Sequence, residues 1–389
     1  MQGAAGLAAV AAAPGLLRAD AAPIKFGSLT PLTGAGGPYG PSMRDVMAAV
    51  VKEVNDAGGV IGRPVELISE DEQSSPEPAV RAAKKLIDVD RVIAIMGTWV
   101  SAATTAVSPL CWESKTMLTT CSGADSITLA PHQGYILRTQ PNSNLQFSTM
   151  AQFMLAEGAK HIGYIGPQTP YIESARKLFE AATKAAGKTF TQVVYEADKT
   201  SYRSEVDQLL RANPDFLVLA GYQPDTQVLL PDLYRAGYQG RMITPSYALT
   251  AKVLAALPHE TTEGIYVFQP SPAVGSAPFR RVQKLLGKQD IDPYTAQAYD
   301  QVNLMLMGVA LAGTATGTAI RDHVRESKQA GGTGVDNAVD AIRLIAAGKP
   351  IDYSGASGSC QFNAIGDIVS SKFRYDRVKD GKLELVKIA

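Results

Sequence analysis

Short apolar runs alternate with segments of helical period along nearly the whole chain, and this alternation is the strongest constraint on its fold. The strand-length runs lie at 24–29, 65–69, 91–96, 116–120, 161–165, 216–220, 242–244 and 265–268. A strand with little polar alternation must be covered on both faces, which parallel sheets flanked by helices provide. Helical spacing is clearest at Met43, Val46, Met47, Val50, Val51 and Val54, ending at Gly58-Gly59, and recurs near 76–88, 101–113, 143–157, 172–186, 202–212, 225–236 and 295–312. The expected class is α/β. Because 389 residues exceed what one such core usually holds, the pattern predicts two doubly wound parallel-sheet lobes. Punctuated segments at 138–144 (RTQPNSN), 269–276 (QPSPAVGS) and 353–359 (YSGASGS) are candidate crossings, and together they make a three-segment hinge. The lobes would then comprise 24–138 with 271–359, and 139–270 with 360–389. The stretch 373–388 alternates around Asp380-Gly381 and reads as a hairpin.

Charge and composition exclude several functions. With 37 basic and 37 acidic side chains the formal net charge is zero, so there is no chain-wide footprint for nucleic acid or an anionic membrane. Three cysteines and four scattered histidines make neither a disulfide scaffold nor a spaced metal set, and no metal or cofactor is expected. Residues 3–17 (GAAGLAAVAAAPGLL) are apolar but too short to span a bilayer. They precede Arg18 and the small-residue run Ala19-Asp20-Ala21-Ala22, so residues 1–23 read as the remnant of a signal peptide and point to export to the periplasm. The other reading is an Ala/Gly tail, because no charged n-region precedes the run.

Several segments in order resemble the type I periplasmic solute-binding proteins, in the branch of the leucine/isoleucine/valine-binding proteins that feed ABC importers. They are SLTPLTGAGGPYG, VNDAGGVIGRPVELISEDEQSSP, IMGTWVSAATTAVSPL, LRTQPNSNLQ, GYIGPQTPYIESARK, DFLVLAGYQPD and SGASGSCQFNAIGDI, and the resemblance covers about residues 24–389. It implies a small-molecule ligand enclosed between two lobes, a membrane-embedded ABC permease as partner, and a monomer.

The leading site candidate is the turn Gly97-Thr98-Trp99-Val100-Ser101. A helix opening near Ser101 offers unpaired N–H groups, the positive end of its dipole and a hydroxyl, all suited to a carboxylate. Serine is also an ordinary N-cap; the resemblance places Ser101 at the carboxylate-binding position. By the same resemblance Ser122 and Ala124 fall on positions that offer ligand oxygens, with Ala124 lacking the relatives' hydroxyl. Tyr171 and Tyr222 match tyrosines that close from the opposite lobe, and Ser246 stands where amino-acid binders carry a glutamate for the ammonium group. A buried ammonium without a carboxylate costs several kcal/mol, so these departures argue against an α-amino acid unless Asp225 or Asp300 supplies the charge. Tyr39, Trp99, Tyr171, Tyr222, Tyr247 and Tyr294 would all face the cleft, giving flat amphipathic walls. The expected ligand is a small carboxylate, foremost an aromatic acid, with a branched-chain amino acid or short amide as the alternative.

Enzyme motifs fail at defining positions. Tyr39 replaces the last glycine of a dinucleotide fingerprint, Glu263 replaces the second histidine of a zinc-protease motif beginning at His259, and Ser359 breaks a nucleophile elbow at its final glycine. Catalysis is not expected, and a cytoplasmic ligand sensor on the same fold is the other class of function. Cys111 reads as a small buried hydrophobe. Cys121 and Cys360 both lie near crossings and would pair if their Cα atoms come within ~4.4–6.8 Å.

Overall fold

The computed structural model describes residues 22–389, so the signal-peptide reading of the segment before Ala22 lies outside the described residues. The chain builds two sheets in succession. Strands β1 (Ile24–Thr30), β2 (Val65–Asp71), β3 (Ala94–Thr98), β4 (Met117–Thr120) and β5 (Ile136–Arg138) are all parallel, in the order β2-β1-β3-β4-β5. The second sheet uses β6 (His161–Pro167), β7 (Thr189–Tyr195), β8 (Phe216–Leu219), β9 (Arg241–Pro245) and β10 (Tyr266–Pro270) in the parallel order β10-β9-β8-β6-β7. Strands β11 (Thr333–Val335) and β12 (Ile351–Tyr353) form a small parallel pair of their own. The chain then returns to the second sheet, where β13 (Phe373–Lys379) pairs antiparallel with β10 and β14 (Lys382–Ile388) closes the edge.

The terminal hairpin has the expected turn. Lys379 pairs with Lys382, and Asp380 and Gly381 have φ of 49° and 71°, both positive, as a two-residue turn matched to strand twist requires. Strand β3 starts later than expected because Arg91 is in the left-handed region at φ 59°, and the chain turns there before extending. Strands β5 and β7 carry no clear signal: the first is three residues long, and the second is a largely exposed edge strand mixing threonine and glutamine with its apolar residues.

Pro293–Ala312 is the central helix of the first lobe. Seventeen consecutive residues from Pro293 to Val309 are buried, and it packs on the Gly40–Asp56 helix, on β3 and on the helix Ala338–Ala346. Its first turn is fixed by Asp292, whose side chain accepts the N–H groups of Tyr294 at 3.0 Å and Thr295 at 2.9 Å.

The third crossing differs from the expected 353–359. Residues beyond Cys360 stay on the first sheet: Arg138 N–H donates to the Gly366 carbonyl at 2.8 Å, and Arg138 bridges to Asp367. The chain leaves that edge near Lys372, whose carbonyl accepts the Ser271 N–H of the second crossing at 2.8 Å. The segment YSGASGS instead wraps Asp300, which accepts Ala356 N–H and Ser357 N–H, each at 2.8 Å. A buried carboxylate demanded donors, and the glycine- and serine-rich turn supplies them.

Candidate functional site

In a parallel sheet the ligand crevice lies beyond the carboxyl ends of the strands where strand order reverses. The first sheet reverses between β1 and β3, and the second between β6 and β8. Tyr39 follows β1, Trp99 and Ser101 follow β3, Tyr171 follows β6, and Tyr222 follows β8. Topology therefore brings these residues together from both lobes.

Two acidic residues at the end of β2 shape the first lobe's side. Asp71 holds the loop after β1, accepting Leu32 N–H at 2.9 Å and the Thr33 hydroxyl at 2.6 Å. Glu72 lies fully buried behind the next loop and accepts Trp99 N–H at 3.2 Å and Val100 N–H at 3.1 Å. Gly97, at φ 100°, makes the turn before Trp99, and a side chain there would meet Thr30 at 2.6 Å.

Ser101 is the first residue of the helix Ser101–Glu113, and extended Val100 takes the cap position, so the N-cap reading of Ser101 does not hold. Its Oγ accepts the Ala124 N–H at 3.2 Å. With that lone pair engaged, its proton is free to point into the cleft, beside first-turn N–H groups that no helical carbonyl reaches.

The loop after β4 presents Cys121 and Gly123 to the cleft. Ser122 and Ala124 turn away into the wall and do not line it: the Ser122 hydroxyl donates to the Trp99 carbonyl at 2.8 Å, and both residues are fully buried. Gly123 packs so closely on the opposite lobe that a Cβ would lie 2.4 Å from the Tyr171 ring. The Arg138 guanidinium supports the loop from behind, donating to the Ala124 carbonyl at 2.6 Å and to Asp367 at 2.6 and 2.8 Å.

Aromatic rings fill the space between. Trp99 lies with its ring centroid 5.9 Å from Tyr222, 6.1 Å from Tyr247 and 5.5 Å from Tyr294, the last two edge-on at 88°. Tyr222 and Tyr247 are 5.4 Å apart. With Ser101, Tyr171 and Gln140 these residues enclose a cavity of about 20 Å³, room for one or two waters. The two lobes are thus closed on each other. Burial raises the phenols of Tyr171, Tyr222, Tyr247 and Tyr294 above the usual tyrosine range, so they act as neutral donors. Among the described residues the Tyr247 hydroxyl has no hydrogen-bond partner.

Tyr39 and Ser246 line a separate, larger cavity of about 610 Å³ between the lobes, together with Thr250, Asp292 and Arg374. Tyr39 still touches the aromatic cluster, 4.9 Å from Tyr294. Asp225 and Asp300, the alternative partners for an ammonium, are both spent elsewhere. Asp225 accepts the Tyr202 hydroxyl at 2.5 Å and Asp198 N–H at 3.1 Å, while Asp300 binds Tyr353 and the 356–357 turn.

Gln140, Gly123 and Glu72 were not singled out from the sequence, and Cys121 was singled out there only as a disulfide candidate. Gln140 sits in a chain of amides that crosses the hinge: Gln297 donates to Gln140 at 2.5 Å, and the Tyr171 hydroxyl donates to Gln146 at 3.2 Å. Its place in RTQPNSN, read as a crossing, was the available signal. The expected Cys121–Cys360 bridge is absent, and all three cysteines are free and buried. Cys121 Sγ lies 3.2 Å from Gln301 Nε2, whereas Cys360 lies against Asp300 and Ser357. Consecutive residues on a helix point about 100° apart, which keeps the two thiols on different sides of it.

The family model described as "Periplasmic binding protein" matches residues 23–345. A chemotactic signal transduction system substrate-binding protein from Halobacterium salinarum is 26% identical over 360 residues, covering 88% of this chain and 84% of that one. A leucine-binding protein from Thermotoga maritima superposes with a TM-score of 0.80 at 20% identity, covering 94% of this chain and 98% of that one. An ABC-transporter solute-binding protein from R. palustris, solved in complex with benzoate, gives 0.74 at 18%, covering 94% and 96%. At such identities the structures speak for the fold alone. Two parallel sheets reversing toward one cleft, three chain crossings and the match over most of the chain agree: this protein belongs to the type I periplasmic binding protein family.

Proposed function

We propose that this protein is the exported ligand-binding component of an ABC importer and that it encloses a small aromatic carboxylate between its lobes, passing it to a membrane-embedded permease. The observation that carries the reading is the lining of the closed cleft. It has aromatic walls from both lobes and one helix N-terminus with a serine hydroxyl, and no acidic or basic side chain among its lining residues. A carboxylate is served by Ser101 and the first-turn N–H groups, and a flat ring by Trp99 and the tyrosines. An α-ammonium would find no carboxylate there, since Ser246 stands outside the cleft and Asp225 and Asp300 are engaged. The benzoate complex of the R. palustris protein supports this ligand class, and the leucine-binding relative supports the alternative.

Closure follows from the same contacts. Ligand contacts from Trp99 on one lobe and Tyr222 on the other exist together only when the lobes meet, so the ligand shifts the hinge equilibrium toward the closed state. A cavity of about 20 Å³ is too small for a benzoate to enter without the walls parting. Binding therefore runs through an open state.

The test is a calorimetric and thermal-shift panel of leucine, valine, benzoate, 4-hydroxybenzoate, coumarate and acetamide. The reading expects the aromatic acids to bind and the amino acids not to. Submicromolar leucine binding with no response to the aromatic acids would overturn it.

A further inference from the structure

Among the described residues, Glu72 is the buried acidic group whose side chain accepts N–H groups at the helix end that the proposed ligand uses. Its backbone N–H donates to the Thr30 carbonyl at 3.0 Å, which ties it to the end of β1. Its side chain is 0% exposed and accepts the N–H groups of Trp99 and Val100, the two residues immediately before Ser101. No lysine, arginine or histidine pairs with it among the described residues. The titratable groups around it bring no positive charge: Asp71 in its own loop, Cys121 after β4, and Tyr222 from the opposite lobe. A carboxylate sealed from water without a cation is strongly disfavoured, and two backbone donors offset that only in part.

We propose that Glu72 is the residue that sets which charge the cleft accepts: protonated and neutral, it leaves the end of the Ser101 helix to a ligand anion, and once ionised it turns the site against carboxylates. The inference rests on the carboxylate reading above. The last free N–H groups of that helix end serve the ligand, while those just before them serve Glu72, so the two acids share one positive terminus. Two negative charges drawn to one positive terminus repel, and binding weakens by at least about tenfold once Glu72 is ionised. Burial pushes the Glu72 carboxyl up to about 8, with the Trp99 and Val100 amides and Asp71 modifying that lift. The neutral form thus prevails at pH 7 and is lost in mildly alkaline solution. Burial raises Cys121 and the cleft tyrosines further still, and Asp292, whose carboxyl burial also raises, lines the separate larger cavity.

The experiment is calorimetric titration of wild-type protein and Glu72→Gln with benzoate at pH 6.5 and 9.5, where benzoate is ionised throughout. Wild-type affinity should fall at least about tenfold between the two, and the glutamine variant, neutral at both, should hold its affinity. In buffers of differing ionisation enthalpy, wild type should take up a fraction of a proton at pH 8.5 on binding, and this readout stands on the wild type alone if the variant does not fold. Benzoate binding with the same pH dependence in both proteins, or without proton uptake, would overturn the role of Glu72 and leave the carboxylate reading intact. Failure of benzoate and 4-hydroxybenzoate to bind either protein at either pH would overturn both.

Discussion

Replacing Arg138 by methionine removes the charge that joins the ligand loop to the hinge while keeping most of the apolar stem. Arg138 and Asp367 are buried, with side-chain exposures of 0% and 2%. The guanidinium donates to Asp367 at 2.6 and 2.8 Å, to the Thr128 hydroxyl at 2.6 Å and to the Ala124 carbonyl at 2.6 Å. Without it Asp367 keeps one side-chain donor, Asn142 at 2.9 Å, and the Ala124 carbonyl loses its closest partner. Removing one member of a buried pair costs about 3–5 kcal/mol, while the Ala124 carbonyl keeps the Ile127 N–H at 3.2 Å and adds little. Arg138→Met should therefore lose about 3–5 kcal/mol in urea denaturation, read as a lower midpoint at unchanged slope. Arg138→Met with Asp367→Leu removes both charges and should recover much of that loss, because an apolar pair leaves no buried carboxylate unpaired. A loss below about 1 kcal/mol, or a double variant no more stable than the single one, would refute the reasoning.

Other outcomes follow from single residues. Ser101→Ala should weaken benzoate binding by about 1–3 kcal/mol in calorimetry, the value of a hydrogen bond to a charged group. Tyr247→Phe deletes a buried hydroxyl that has no hydrogen-bond partner among the described residues, so the ligand-free variant should melt at the wild-type temperature or above it, and a fall equivalent to about 1 kcal/mol would show that the hydroxyl is bonded. Burial pushes the Cys111 thiol up to about 12 and raises Cys121 and Cys360 as well, so a thiol reagent at pH 8 should react with none of the three in the native protein and with all three in denaturant. Glu72 is raised from 4.5 to about 8, so the folded state holds its proton more tightly than the unfolded chain. Its stabilising contribution is complete below the ordinary carboxyl range and is lost as pH rises through about 8, and urea midpoints at pH 6 and 9 should show this loss in wild type and not in Glu72→Gln.

The lobes were legible because their strands are long apolar runs buried on both faces, a signal that needs no partner to be read. The same holds for the aromatic residues at loop ends, since a strand-to-helix boundary is visible in the chain and topology then aims it at the cleft. What could not be read depends on distance across the fold. Whether Ser122 or Gly123 faces the cleft turns on the Ser122 hydroxyl reaching the Trp99 carbonyl, a contact across 23 positions. Glu72 carries no local mark that separates it from Asp71 beside it, and the two diverge only because one meets the loop after β1 and the other the loop after β3. The third crossing was misplaced for a similar reason, because Gly366 and Asp367 are held by Arg138, more than two hundred residues earlier.

The interleaving of the two lobes also sets when each can form during synthesis. Strands β1 to β5 are complete once residue 138 has emerged, yet the helix Pro293–Ala312 that covers them is still more than 150 residues away. The second sheet waits longer still, because β13 must pair with β10 after the chain has left and returned. A growing chain therefore carries an apolar sheet face without its central helix through the making of most of the second lobe, and the second lobe cannot reach its final packing until β13 has been made. A nascent chain in that state exposes to chaperones the surface that the finished protein hides.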